Sequence, residues 1–104
     1  MSRSAVLTPE NTAEALRGSG FQHEGSRLTA RFNTGDFATG ARLVAAIAEA
    51  ADALNHHPDL TLTYAAVDVR LSSHDAGGVT ERDLELARRI DDAAAEVGAD
   101  ASPS

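Results

Sequence analysis

Apolar positions along this chain recur with two different periods. The residues Gly40, Val44, Ile47, Ala51 and Leu54 are spaced four and three apart, which predicts a long helix with one buried side. Asp36 is placed to cap its start, and the helix should end near Asn55. Leu86, Ile90, Ala94 and Val97 make a second stripe. Thr80 opens that helix, and Asp83 stands three residues on in a capping-box-like arrangement. Elsewhere the period is two. Leu28, Ala30 and Phe32 alternate with Thr29 and Arg31, so one face of that strand is buried. Val67, Val69 and Leu71 alternate with Asp68, Arg70 and Ser72 in a strand spanning about 64–73.

Turn and cap residues punctuate these runs. Thr8-Pro9-Glu10 reads as a helix start running to about Arg17, with Gly18-Ser19-Gly20 as its stop. Residues 21–24 and 28–32 form a hairpin around Gly25-Ser26, with His23 on its surface. Asp75-Ala76-Gly77-Gly78 is a turn, and residues 99–104 read as a frayed tail. The order is α-β-β-α-β-α. It predicts a two-layer α+β domain, a small antiparallel sheet with helices packed on one face. The other sheet face is either solvated or packed against another subunit. Neither repeat nor linker interrupts residues 1–104, so they form one domain.

Composition narrows the function classes. Apolar residues are 42% and aromatics only 4%, so the core rests on Leu, Val, Ile and Ala. The net charge of −7 disfavours direct nucleic-acid binding. Cysteine is absent, which removes disulfides, thiol nucleophiles and Cys-based zinc sites. The start MSRSAVLTPE has no apolar run of signal-peptide length, and no stretch approaches the ~20 apolar residues of a membrane span. A soluble intracellular protein is expected.

Three of the four histidines fall in one segment: His56-His57-Pro58 and His74. Imidazole is the side chain best suited to moving protons near neutral pH. Asp52 lies four residues before His56, so the two should share a helix face and the carboxylate should hold the imidazole's tautomer. Pro58 disfavours helical geometry at His57, which puts the pair at the helix C-terminus. His57 points about 100° away from His56 around the helix. His74 follows a strand, beside Gly77-Gly78, where backbone can approach a ligand closely. The expected site is a shallow one at the seam of helix end and strand end. Three histidines with an aspartate also suit zinc, but adjacent histidines on one helix end rarely converge on one ion. Asp83 reads as a helix cap as readily as a site residue, and Tyr64 as a packed strand residue as readily as a ligand contact.

Asp52, His56-His57-Pro58, Tyr64, His74, Gly77-Gly78 and Asp83 together resemble the pterin-4a-carbinolamine dehydratases. The run SSHDAGGVTERD is similar to that family's usual segment, and Leu7-Thr8-Pro9-Glu10, Gly20-Phe21, Leu28, Arg31-Phe32, Asp36-Phe37 and Ala41 follow its N-terminal pattern. The resemblance implies a cytoplasmic, cofactor-free and metal-free hydro-lyase. It would convert a 4a-hydroxytetrahydropterin, left by aromatic amino-acid hydroxylases, to a quinonoid dihydropterin in pterin recycling. It assigns acid–base work to His57 and His74, with His56 contacting the pterin and sharing that work. Asp52, Pro58, Tyr64, Ser73, Asp75 and Asp83 would support the site or the substrate. A homodimer or homotetramer is implied. The alternatives are a non-catalytic binding or dimerisation protein on the same fold, and a dehydratase of a different pterin. The chain departs from the family where a tryptophan often follows the His-His-Pro: Asp59-Leu60 stands there, with Phe21, Thr34 and Leu43 at other aromatic positions.

Overall fold

The computed structural model describes residues 5–102. Two strands form the middle of its antiparallel sheet, β2 (Arg27–Asn33) and β4 (Ala66–Leu71), with Leu28 opposite Leu71, Ala30 opposite Val69 and Phe32 opposite Val67. Residues paired this way point to the same face. Leu28, Phe32, Val67, Val69 and Leu71 are therefore sealed together against Leu43 and Ile47 of α2 (Phe37–Leu54) and Leu86 and Ile90 of α3 (Glu81–Val97). β1 (Gln22–Glu24) flanks β2 and β3 (Asp59–Leu62) flanks β4, giving the order β1-β2-β4-β3. Both long helices cover one face. The open face is polar, with Arg31 on Asp68 at 2.7 and 3.0 Å and Arg70 on Thr61 at 3.1 Å.

The expected two-layer α+β architecture holds, with differences in its elements. The first helix is a single turn, α1 (Pro9–Thr12), because the bonds beyond it are irregular, such as Arg17 N–H to the Glu14 carbonyl. Within α2, Leu43 and Thr39 are buried, whereas Val44 and Leu54 are only half-buried. The strand expected over 64–73 is shorter. β3 precedes it, and Tyr64 sits in the turn between the two, 71% exposed. β3 is easily missed in sequence because only Leu60 and Leu62 alternate there. Residues 100–101 do not fray: β5 (Asp100–Ala101) pairs with Phe32 and Asn33 of β2. Gly20 allows this, since a Cβ there would come within 2.9 Å of Ala101 Cβ and of the Phe32 ring. His23 is half-buried and lies 2.8 Å from Thr12 Oγ1, tying α1 to β1. No helix among the described residues is long and apolar enough to cross a membrane.

Candidate active site

The histidine pair takes its positions from the way α2 stops. Asn55 adopts the left-handed region (φ 51°, ψ 44°), and its N–H closes on the carbonyls of Ala51 and Asp52. The chain then leaves the helix axis, so the i, i+4 geometry expected for Asp52 and His56 does not form. His56 instead turns inward, only 9% exposed, with its N–H on the Ala51 carbonyl at 3.0 Å. Its Nε2 lies 2.5 Å from Asp83 Oδ1.

Asp83 has no solvent exposure and is satisfied from three directions. Its Oδ2 accepts from Ser73 Oγ and from the Thr80 N–H, both at 2.9 Å, while Oδ1 faces His56. A carboxylate only accepts, so each partner must donate, including His56 through Nε2–H. The Ser73 hydroxyl is then spent on Asp83, which leaves the Thr80 hydroxyl to donate to Ser73 Oγ at 2.9 Å. Thr80 Oγ1 in turn accepts from the Arg82 N–H at 3.2 Å. The same contacts form the α3 capping box. The cap and the histidine anchor are one buried network.

His57 faces solvent, and it, rather than His56, receives Asp52: the Nε2–Oδ1 distance is 2.9 Å. Asp52 fixes the proton on Nε2, so the lone pair of the neutral ring lies at Nδ1. Pro58 carries the chain directly from His57 into β3. His74 follows the end of β4, in a loop closed by the Ser73 N–H to Gly78 carbonyl bond of 2.9 Å and by the left-handed Gly77 (φ 83°). His57 and His74 line one cleft of about 270 Å³. A larger cleft of about 360 Å³ lies on the open sheet face and holds no histidine.

Other expected residues are placed apart from the cleft wall. Asp75 reaches Arg82 at 2.7 Å, and that hydrogen bond, with the guanidinium charge, holds its carboxyl below the usual range. Tyr64 lies at the far end of the β3–β4 hairpin, with the whole length of β3 between it and His57. The structure does not bring it to the histidines. Conversely, the cleft is also lined by Arg27, Asp59, Arg70 and Ser72, which motif spacing does not single out. The signal was present in the strand alternation, which puts residues 27, 70 and 72 on the polar face. Among the described residues, no three His, Asp or Glu side chains are grouped to hold a metal ion.

The profile of the pterin 4 alpha carbinolamine dehydratase family matches residues 5–93. A Streptomyces coelicolor protein provisionally named pterin-4-alpha-carbinolamine dehydratase is 41% identical over 95 residues, covering 89% of this chain and 94% of its own. An Aquifex aeolicus protein of the same provisional name is 46% identical over 66 residues, 64% of this chain and 67% of its own. The crystal structure of a Brucella melitensis transcriptional coactivator/pterin dehydratase superposes with a TM-score of 0.79 at 37% identity, covering 86% of this chain and 98% of that one. A pterin dehydratase-like RuBisCO assembly factor of the alpha-carboxysome shares the fold, with a TM-score of 0.62 at 23% identity over 72% of this chain and 89% of that one.

Proposed function

This chain belongs to the pterin 4 alpha carbinolamine dehydratase family, and on that premise we propose that it is a hydro-lyase converting a 4a-hydroxytetrahydropterin to a quinonoid dihydropterin. The observation that carries the reading is the shared cleft of His57 and His74, with His57 already oriented by Asp52. The reaction breaks the C4a–O bond and forms a C4a–nitrogen double bond. One proton goes to the departing hydroxyl, and one leaves the adjacent ring nitrogen. The protein gives one and takes one, so no net proton is stored. His57 takes the nitrogen proton through Nδ1, because Asp52 keeps Nε2 protonated and steadies the imidazolium that results. His74 supplies the proton to the leaving hydroxyl. His56 is a positioning residue in this scheme: its Nε2 is committed to Asp83, and it fixes where the chain emerges at His57. The pterin is the substrate, and neither cofactor nor metal takes part. The reading includes a cytoplasmic site of action and a homodimer or homotetramer.

The test is stopped-flow absorbance of a freshly generated 4a-hydroxytetrahydropterin, for the wild type and a His57→Ala/His74→Ala variant. Wild-type acceleration over buffer should fall by about 10²–10⁴-fold in the double variant, the usual worth of general acid–base help. Both side chains are exposed, so its melting temperature should barely move. A wild type no faster than buffer would end the dehydratase reading and turn attention to a binding role.

A further inference from the structure

Seven of the arginines of this chain fall into two groups. It carries nine arginines, no lysine and a net charge of −7. Arg17, Arg31, Arg82, Arg88 and Arg89 each rest on a carboxylate. Two others line the histidine cleft without one. The Arg27 side chain makes no hydrogen bond or ion pair among the described residues, and Arg70 gives Nη2 only to the Thr61 hydroxyl at 3.1 Å.

The sheet register puts these two guanidinium groups within reach of one small anion. Continuing the Leu28–Leu71 pairing places Arg27 across from Ser72, two residues along β4 from Arg70. Strand alternation sends both side chains to the open face. Such diagonal neighbours lie about 7–8 Å apart at the backbone, a gap two long side chains can close from either side. Two like charges at that spacing repel each other, and an anion between them removes the conflict. Two carboxylates are near by register: Asp59 opposite Arg70 and Glu24 opposite Arg27. Neither forms an ion pair with its arginine, which leaves the planar forks open to a phosphate or carboxylate.

We propose that the cleft selects a reduced pterin whose side chain carries an anionic group, a phosphate or a carboxylate, seated between Arg27 and Arg70 while the ring meets His57 and His74. This substrate class rests on the dehydratase reading of the same cleft. The volume of about 270 Å³ suits one small molecule that extends from the histidines to the arginines.

Two measurements on the full chain separate the inference from the reading beneath it. The first is kcat/KM for three 4a-hydroxytetrahydropterins whose side chains end in a phosphate, a carboxylate or a neutral diol. The second is fluorescence titration with the matching oxidised pterins, which do not react. The better anionic pterin should exceed the neutral one by about 10- to 100-fold in both, the scale of one charge-assisted contact. Added salt should shrink that ratio. An Arg27→Gln/Arg70→Gln variant should bring it close to one. Arg31→Gln, on the same sheet face but held by Asp68, should preserve it. The phosphate and carboxylate arms identify the anion. A ratio near one in the wild type, or a ratio that survives in the double variant, would overturn the inference. Fast dehydration with no anion preference leaves the dehydratase standing and the inference fallen. Anion-selective, arginine-dependent binding without dehydration does the reverse. Neither dehydration nor selective binding ends both.

Discussion

Asp83 is the residue on which most depends. It receives the Ser73 hydroxyl, the Thr80 N–H and His56, and it has no exposure to water that could replace them. Asp83→Ala leaves three buried donors facing a void. Breaking a buried, hydrogen-bonded pair from one side costs about 3–5 kcal/mol, so equilibrium urea unfolding should show a loss of that size. A loss below about 1 kcal/mol would mean that the network is far wetter than the geometry implies. Asp52 is a contrasting case. It is exposed and touches only the exposed His57, so its substitution should leave stability alone and act on the chemistry.

At the scale of elements, an aspartate serves the start of each long helix, Asp36 as the N-cap of α2 and Asp83 at the third position of α3 behind the Thr80 cap. In α2, Asp36 accepts the Thr39 N–H at 2.8 Å. That backbone bond, reinforced by the Thr39 side chain, holds the Asp36 carboxyl below its ordinary value of 3.8. A folded-state value lowered in this way makes the cap stabilising above the ordinary value, and the contribution fades as pH falls through the depressed one. Asp36→Ala should therefore melt earlier than the wild type at pH 7. The gap should close on acidification, with most of the closure below pH 3.8. Thermal melts of the pair across pH 2–7 check this, and a gap constant over that range would exclude the cap as its cause. The far end of α2 places the histidine pair instead. The left-handed Asn55 sends His56 inward and His57 outward, which gives two adjacent imidazoles different surroundings and partners.

Across the whole molecule, the sheet separates core from surface. One face is closed by α2 and α3, and the other presents polar side chains, among them Arg31, Asp68 and Arg70. The histidine cleft opens at the end of that second face, where β4 leads to His74 and His57 leads into β3. A domain this small buries a limited fraction of its surface, and association of copies adds to it. Sedimentation equilibrium should therefore give twice or four times the chain mass of 10.8 kDa. A single species at the chain mass would refute the proposed oligomer.

Periodicity by itself determined the layers of this protein. The alternation of Leu28 with Thr29 and of Val67 with Asp68, and the stripe through Ile47 and Ala51, were enough to place core and surface, because burial requires a matching period. Caps at Asp36 and Thr80 were legible because capping is local chemistry. The three histidines stood out by type and spacing. Their partners did not, because a residue's neighbours depend on distant parts of the chain. The tertiary structure decided that Asp52 serves His57, since one left-handed residue breaks the helical spacing. It decided that His56 meets Asp83 across 27 positions, and that Tyr64 stands at the far end of a hairpin. It also decided that residues 100–101 extend the sheet, because a bare Gly20 lets Ala101 approach Phe32. Arg27 and Arg70 share a cleft for the same reason: only strand pairing brings positions 43 residues apart in sequence onto one face.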